Sequence, residues 1–391
     1  MRIRKTFFFI FAALTLISLN SCKDDEPMQE TQVPAIRGTI AVDRQYGDLQ
    51  PDFTAQDMLD CGFDYGDIVR ITIGKNIDIT APFVTAYTQA GIMGFSCCDY
   101  GKKRGILDVG IANGNFHERV GGEDGDSILI TIHEKGGYLA KYSLLQGAYD
   151  NDRSHYTSDA VFANFREVTT TGVGEGKLYR GSNPLNADKN PVRFQYMDDF
   201  ARQVGIQTEI DLADDDEMIE AQLQKRTDGF TYCRDLYNAG HVIGLKMSAD
   251  TFNDEFKMKL ADGLRFMISH EPPYLIHCNE GKDRCGYVAL LLEALMGATV
   301  EEMVLDYMVT FENYYDYKPN SDTWLLNKNL TIDRMLQLLI HEESLCDITK
   351  IQWQLDLDGS DTLVMQVSDY LKDNPINLSE EELDALKNKL K

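Results

Sequence analysis

The fold is decided by Tyr274-Leu275-Ile276-His277-Cys278-Asn279-Glu280-Gly281-Lys282-Asp283-Arg284-Cys285-Gly286. Its first four residues predict a short buried strand over 274–277. After Gly286, apolar side chains recur at helical spacing and predict a buried helix over 287–296. A short loop between a strand and a helix is suited to holding an oxyanion, because the loop N–H groups and the free N–H groups of the helix N-terminus converge.

The side chains of this loop predict chemistry as well as binding. Cys278 lies at the start of the loop, where a helix N-terminus and nearby cations lower the pKa of a thiol and favour the nucleophilic thiolate. Arg284 follows six residues later, and a guanidinium grips two oxygens of a phosphate in a fork, which Lys cannot do. Gly281 and Gly286 allow the loop to turn and the helix to begin tightly.

The Cys-x5-Arg spacing resembles the signature of cysteine-dependent protein tyrosine phosphatases. The loop is most similar to a bacterial branch that reads His-Cys-x-x-Gly-Lys-Asp-Arg-Thr-Gly and is related to dual-specificity and lipid phosphatases. Four further segments, together with a capped terminal helix, resemble that branch, so the resemblance extends over roughly residues 160–391. These segments are 164–167, 178–182, 205–212 and 306–314.

The resemblance implies roles for the loop residues. Cys278 would attack phosphorus to form a cysteinyl-phosphate, and no metal or cofactor would be required. The phosphate oxygens would be held by Asn279, Glu280, Gly281, Lys282, Asp283 and Arg284. The geometry of the loop would be supported by three residues that do not themselves hold the phosphate: His277, Cys285 and Gly286.

The general acid that protonates the leaving group has three candidates. Asp283 is the first choice, because the bacterial branch carries an Asp beside its loop arginine. Asp211 ends a predicted strand that should neighbour the loop. Asp250 lies 28 residues before Cys278, about where many relatives carry a mobile acid loop. Each also fits an ordinary cap or turn residue.

Two loop residues leave questions open. Lys282 either contacts a second anionic group, as in relatives that accept phosphoinositides, or balances Glu280 and Asp283. Cys285 stands where the family usually has Thr or Ser, whose hydroxyl bonds the departing thiolate. A thiol is a weaker donor, which puts breakdown of the intermediate in question and allows a reversible Cys278–Cys285 disulfide.

The remainder of the catalytic part, predicted over 150–391, alternates strands and helices. A strand is predicted over 205–212, and helices over 254–268, 303–315, 324–341 and from the capping box at Ser379 to Leu390. Residues 143–160 are predicted to be a polar linker. The pattern indicates an α/β fold with a central sheet flanked by helices.

Residues 36–145 predict a small all-β module. Short β-branched strands over 68–73, 105–111 and 127–132 are framed by Gly, Asn and Asp turns, as in a closed barrel or sandwich. Segments 43–48, 112–115 and 123–126 resemble the β-barrel C-terminal domain of S-adenosylmethionine hydroxide adenosyltransferases. That family's chemistry also requires an N-terminal domain, and the module has no catalytic signature, so a structural or partner-binding role is expected.

The first 22 residues resemble a bacterial lipoprotein signal. Basic residues precede an apolar stretch that ends at Cys22, the expected lipid-attachment residue, and 23–35 form an acidic polar tether. The resemblance implies an extracytoplasmic protein anchored in the outer membrane or at the cell surface by its lipid.

Composition limits the remaining functions. Asp and Glu number 63 against 38 Lys and Arg, and the formal net charge of −25 argues against a nucleic-acid partner. At 391 residues with 43% hydrophobic residues, the chain is long enough for two packed domains. We therefore expect an enzyme that hydrolyses phosphate monoesters in phosphotyrosine proteins, in phosphoinositides or inositol phosphates, or in small metabolites. The alternative is an impaired phosphatase-like domain that binds phosphorylated ligands or partners.

Overall fold

The computed structural model describes residues 33–100, 106–147, 150–225, 232–341 and 360–391. The predicted signal and Cys22 lie outside these residues. Among the described helices, none is both long and apolar enough to cross a bilayer. Pro34–Lys391 form one compact unit that contains a β-barrel followed by an α/β part.

Seven strands of the described N-terminal residues close into a barrel, in the order β1-β2-β6-β5-β4-β3-β7. Neighbouring strands are antiparallel except β4 and β5. Of the two expected architectures, barrel and sandwich, the chain forms the barrel. The strands are β1 (Ala35–Val42), β2 (Leu49–Pro51), β3 (Ile68–Ile73), β4 (Ile77–Val84), β5 (Phe95–Cys98), β6 (Asp108–Ile111) and β7 (Ser127–Glu134).

Alternating apolar residues fill the barrel. Ile71 and Ile73 of β3 and Ile128 and Ile130 of β7 are buried, as period-two patterning requires. Three short helices flank the strands: α1 (Ala55–Asp60), α2 (Phe116–Arg119) and α3 (Leu139–Leu144). The buried Phe116 anchors α2 in the core, so the last residue of α2 has a fixed position on the barrel.

The α/β part is built on a five-stranded sheet of order β11-β10-β12-β9-β8, in which only β8 is antiparallel to its neighbour. In register, His277 is the partner of Asp211 on one side and of Gly181 on the other, so the carboxyl ends of three strands meet at one edge. The strands are β8 (Arg166–Glu167), β9 (Leu178–Gly181), β10 (Thr208–Asp211), β11 (Val242–Gly244) and β12 (Tyr274–His277).

Helices cover the sheet, which confirms an α/β architecture. The helix predicted over 287–296 begins earlier, at Asp283, and the one predicted over 324–341 is two helices broken at Thr331 (φ −120°, ψ −89°). The helices are α4 (Asp159–Ala163), α5 (Phe194–Val204), α6 (Asp216–Lys225), α7 (Tyr232–Asn238), α8 (Asp254–Ser269), α9 (Asp283–Met296), α10 (Val300–Tyr315), α11 (Asp322–Leu330), α12 (Ile332–His341), α13 (Ser360–Lys372) and α14 (Glu380–Leu390). The capping box predicted at Ser379 and Glu382 is present.

The barrel packs directly on the α/β part. The Ile92 N–H donates to the Leu330 carbonyl oxygen over 2.8 Å. Gly91 has φ +76°, and a Cβ there would lie 2.8 Å from the same oxygen, so only glycine permits this approach. In the stretch predicted as a polar linker, the Asp150 carbonyl accepts hydrogen bonds from Arg193 and Tyr156, which holds it against the α/β part.

Candidate active site

The loop after β12 crosses the carboxyl edge of the sheet in close contact with the end of β9. Gly281 has φ +74°, and a Cβ there would lie 2.4 Å from the Gly181 carbonyl oxygen. A side chain at 281 would therefore be strained and would also push the loop off the sheet. The predicted need for glycine at this position has a definite steric cause.

Three consecutive carbonyl oxygens of the loop are held from outside it. The Asn279 oxygen accepts from the Asn183 N–H (3.2 Å), and the Glu280 oxygen accepts from Asn164 Nδ2 (2.9 Å). The Gly281 oxygen accepts from Arg180 Nη2 (2.9 Å). Because C=O and N–H point in opposite directions across a trans peptide, the N–H groups of the following residues face the other side of the loop.

A buried ionic cluster holds Arg180 in place. The Arg180 side chain is 1% exposed and pairs with Asp306, which also accepts from Arg166 Nε at 2.8 Å. Burial works against ionisation of Asp306, but the two guanidinium groups outweigh it and lower the pKa of that carboxyl. Glu293, buried beside them, has its pKa raised well above the ordinary value, chiefly by desolvation and by Asp306. Arg166, Arg180 and Asp306 belong to the segments that resemble the phosphatase branch.

Some supporting residues were not predicted from the sequence. Asn183 lies just after the resembling segment 178–182, and nothing in its surroundings indicated a contact with the loop. Thr310 Oγ1 donates to the Gly281 oxygen at 3.4 Å and accepts from Asn164. Glu209 lies in the predicted strand over 205–212 and Glu293 in the apolar run of the predicted helix over 287–296, and only burial of a charged residue could have drawn attention to them.

Cys278 and Cys285 occupy different environments. Cys278, 4% exposed, begins the loop, and Cys285 is fully buried in the first turn of α9. The Cys285 thiol lies 3.4 Å from the Ile276 carbonyl and donates to it, and burial raises its pKa to about 11. Both sulfurs are free thiols.

His277 lies beneath the sheet edge between two carboxylates. Its Nε2 is 2.9 Å from Glu209 Oε1 and its Nδ1 is 3.8 Å from Asp211 Oδ1, with all three side chains completely buried. Burial opposes protonation of the ring, but Asp211 and Glu209 outweigh it and raise the pKa of His277. The Leu212 N–H donates to the His277 carbonyl, so the residue ties β12 to β10.

The three candidate acids have different surroundings. Asp211 is fully buried, accepts from the N–H groups of Ala213 and Asp214, and has its pKa raised to about 7 by burial. The Asp283 side chain is 33% exposed at the first residue of α9, and desolvation raises its pKa despite the cation of Lys282. Asp250 is bound through both oxygens to Arg119 of the barrel, at 3.1 and 2.8 Å.

One nitrogen of Arg284 donates hydrogen bonds to two backbone carbonyls. Its Nη1 donates to the carbonyls of Leu212 (3.2 Å) and Met247 (3.1 Å). Within the described parts of the chain, neither its Nε nor its Nη2 has a protein acceptor. The side chain is thus oriented while donors are left for an anion.

Lys282 is buried against aromatic rings. Its Nζ lies 3.3 Å from Glu280 Oε2, 3.9 Å from Asp283 Oδ2, and 5.7 and 5.6 Å from the ring centres of Phe311 and Tyr315. This arrangement corresponds to charge balance, the second of the two roles considered for this residue.

Comparison with known proteins identifies the α/β part. A family model described as the tyrosine phosphatase family matches residues 161–391. The chain belongs to the tyrosine phosphatase family. Membership supports phosphatase activity, which acts on phosphorylated substrates, and the matched residues include the whole loop and its supporting cluster but not the barrel.

Other comparisons add little. No curated protein matches the chain. A solved structure described as an uncharacterized conserved protein from Thermotoga maritima is 19% identical over 24% of this chain and 35% of that chain, with a TM-score of 0.22. The match thus spans about a third of that protein's length, and we base no functional argument on it.

Proposed function

We propose that the protein hydrolyses phosphate monoesters through a cysteinyl-phosphate intermediate on Cys278. The observation that carries this proposal is the orientation of the loop. With the carbonyls of Asn279, Glu280 and Gly281 bound from outside, the N–H groups that follow them face the opposite side, and the loop leads directly into the N-terminus of α9, where Arg284 is the second residue. Such a concave set of donors suits a phosphate dianion and its transition state.

The reaction would proceed in two displacements. The Cys278 thiolate attacks phosphorus, an S–P bond forms as the P–O bond of the leaving group breaks, and Asp283 transfers its proton to the leaving oxygen. Water then attacks the phosphocysteine and gives a proton to the Asp283 carboxylate. The S–P bond breaks, inorganic phosphate departs and the thiolate is regenerated.

Asp283 suits the acid role better than the other two candidates. It is partly exposed beside the loop, and its raised pKa favours the protonated form that the first step needs. The Asp211 side chain has no exposed surface and is occupied with capping the turn after β10, so we assign it a positioning role with His277. Both oxygens of Asp250 are engaged by Arg119.

The surroundings of Lys282 bear on the choice of substrate. We propose phosphotyrosine proteins, phosphoinositides or inositol phosphates as substrates. Because the Lys282 charge is paired with Glu280, against Phe311 and Tyr315, we favour phosphotyrosine, which has a single phosphate on an aromatic ring, over the inositol compounds, which would use a second phosphate site.

The direct test is hydrolysis of p-nitrophenyl phosphate by the reduced protein. Cys278→Ser and Arg284→Lys should abolish turnover, and Cys61→Ser, which changes an exposed cysteine on the barrel, should leave it unchanged. Turnover that survives Cys278→Ser would exclude the phosphocysteine mechanism.

One observation favours the alternative, a phosphate-binding protein with little turnover. Residue 285 is a cysteine where the resembling branch has Thr or Ser, and its thiol donates to the Ile276 carbonyl, so this position supplies no hydroxyl for departure of the Cys278 thiolate. If breakdown of the intermediate is slow for this reason, Cys285→Ser should raise the steady-state rate and shrink the burst of p-nitrophenol. Absence of any burst or turnover, with phosphate still bound, would establish the binding protein instead.

We further propose, from the sequence alone, that lipidation of Cys22 holds the protein outside the cytoplasm. Incorporation of labelled fatty acid into the wild-type chain but not into Cys22→Ser tests this. Equal labelling of both chains would contradict it.

A further inference from the structure

We propose that Arg119 of the barrel is a positioning residue for the active site: through Asp250 it holds loop 247–252, and through that loop it holds the phosphate-binding arginine, Arg284. The inference rests on the proposed function for its meaning. It concerns a residue outside the stretch matched by the tyrosine phosphatase family, which begins at 161.

Arg119 and Asp250 form an ion pair between the barrel and the α/β part, in which one nitrogen contacts both carboxylate oxygens. Arg119 Nη2 donates to Asp250 Oδ1 at 3.1 Å and to Oδ2 at 2.8 Å. The Asp250 side chain is 6% exposed and that of Arg119 is 22% exposed. A pair this protected from water is screened less than a surface pair, and loss of one partner leaves the other charge buried without compensation.

The Arg119 end of the contact is rigid. Phe116, in the same short helix, is completely buried in the barrel core. The Asn115 side chain caps the helix by accepting from the Glu118 N–H, and the Asn115 carbonyl accepts from the Arg119 N–H. The backbone that carries the Arg119 guanidinium therefore has a fixed position on the barrel.

Hydrogen bonds along a few residues of the loop connect Asp250 to the active site. Asp250 Oδ1 accepts from the Phe252 N–H, and the Asp250 N–H donates to Ser248 Oγ. One residue earlier, the Met247 N–H donates to the Leu212 carbonyl, and the Met247 carbonyl accepts from Arg284 Nη1. Asp250 is thus connected, through Ser248, to the residue that supplies one of the two carbonyls orienting Arg284.

This chain of contacts gives the barrel a role in catalysis. Among the described residues, Nη1 of Arg284 is oriented only by the Leu212 and Met247 carbonyls. The Leu212 carbonyl belongs to the edge of the sheet, whereas Met247 lies in a loop whose far end is fixed by the barrel. Without Arg119 we expect the loop to sample other positions and Arg284 to bind phosphate less well.

The test measures phosphate binding separately from turnover. In the whole chain carrying Cys278→Ser, titration calorimetry with inorganic phosphate should show a Kd about tenfold weaker for Arg119→Met, about 1.4 kcal/mol. Arg119→Lys, which keeps the charge, should recover part of that loss. Asp250→Asn should weaken binding to a similar extent, and the double variant should be no worse than either single change, because both break one pathway. Arg70→Met, which breaks the exposed Arg70–Asp78 pair on the same barrel, is the control and should have no effect.

Turnover measurements on chains that retain Cys278 complete the design. KM for p-nitrophenyl phosphate should rise with Arg119→Met at temperatures where both proteins are fully folded. A purely structural ion pair would lower Tm without changing KM or the phosphate Kd, and that result would overturn the inference. If Arg119→Met does not fold, the same measurements on Arg119→Lys and Asp250→Asn decide the question. If the wild-type chain hydrolyses nothing while its phosphate Kd still depends on Arg119, the proposed function fails and the positioning role stands.

Discussion

Arg180 donates a hydrogen bond to the carbonyl oxygen of Gly281, 101 residues later in the chain, over 2.9 Å. The same guanidinium pairs with Asp306, whose side chain is 10% exposed. One planar side chain therefore connects a carboxylate to the backbone of the loop that follows β12.

Replacing Arg180 should damage the active site more than its charge alone predicts. Arg180→Lys keeps a cation beside Asp306 but loses the fork that reaches both partners, so the Gly281 carbonyl is released. We expect kcat/KM for p-nitrophenyl phosphate to fall about 100-fold, as for other small displacements of catalytic groups. Arg202→Lys, at the surface pair with Asp199, is the matched control. An Arg180→Lys enzyme with wild-type kcat/KM would show that the bond to Gly281 is dispensable.

Adding one methyl group at Gly281 should abolish activity. The new Cβ would lie 2.4 Å from the Gly181 carbonyl, and the residue has φ +74°, so the loop must move. Gly240→Ala provides the comparison, because Gly240 has φ +77° but nothing within 4 Å of an added Cβ. Both variants should lose about 1 kcal/mol of stability from the backbone conformation alone, measurable by urea unfolding. Only Gly281→Ala should lose turnover, and equal turnover in the two would refute the steric argument.

Whether Asp283 is the general acid can be tested by comparing two leaving groups in the Asp283→Asn variant. Phenolate is a poorer leaving group than p-nitrophenolate and needs its proton more, so the loss of kcat should be greater for phenyl phosphate, within about 100- to 10,000-fold. Desolvation raises the pKa of Asp283, so wild-type activity should persist to higher pH than an ordinary carboxyl allows and then fall as the acid ionises. The Asp283→Asn variant should not show this loss of activity at high pH. Asp211→Asn is measured for comparison. If Asp283→Asn lowers kcat by the same factor for both substrates, Asp283 is not the general acid.

Asp211 should make the fold less stable as the pH rises. Its pKa is about 7 in the folded chain, because of burial, against about 3.9 when unfolded. Between these values the unfolded chain releases a proton that the native chain keeps, so the free energy of unfolding falls by up to about 1.4 kcal/mol per pH unit. The raised pKa of His277 acts in the same direction, since it favours the protonated native state.

Asp211→Asn should therefore gain stability relative to wild type as the pH increases from 4.5 to 6.5, measured by urea unfolding at about one-unit intervals. The exposed Asp57, whose pKa is lowered by its bonds to Thr54, should give a flat difference over this range when changed to Asn. A flat difference for Asp211→Asn would mean that this carboxyl is already ionised in the folded chain.

Local sequence patterns predicted the elements that depend on local interactions. The strand over Ile68–Ile73 is found where its β-branched run and flanking turns indicated, and the strand–loop–helix around Cys278 follows from a short apolar run and a helical repeat. The break at Thr331 was missed because apolar residues keep helical spacing on both sides of it. The hydrophobic period carries no signal for such a bend.

Local sequence patterns do not predict contacts between residues that are far apart in the chain. The resemblance drew attention to Arg166, Arg180 and Asp306, but only the structure shows that they meet beneath Gly281. Nothing in the spacing of Arg119 and Asp250 indicates that they pair, since one belongs to the barrel and the other to a loop of the sheet. The resemblance made Asp283 the first choice of general acid over Asp211 and Asp250, but the burial and partners that distinguish the three come from the structure.

The residues that hold the loop come from both sides of it in sequence. Asn164, Arg180 and Asn183, which donate to its carbonyls, precede it, whereas Thr310, a fourth donor, and Asp306, the acceptor that fixes Arg180, follow it. A ribosome therefore completes Cys278 and Arg284 before it adds the last residues that hold their backbone. Until α10 docks, the nascent chain carries Cys278 on a loop whose backbone is only partly held, so the proposed reactivity toward phosphate would emerge late in synthesis, as a property of the assembled fold.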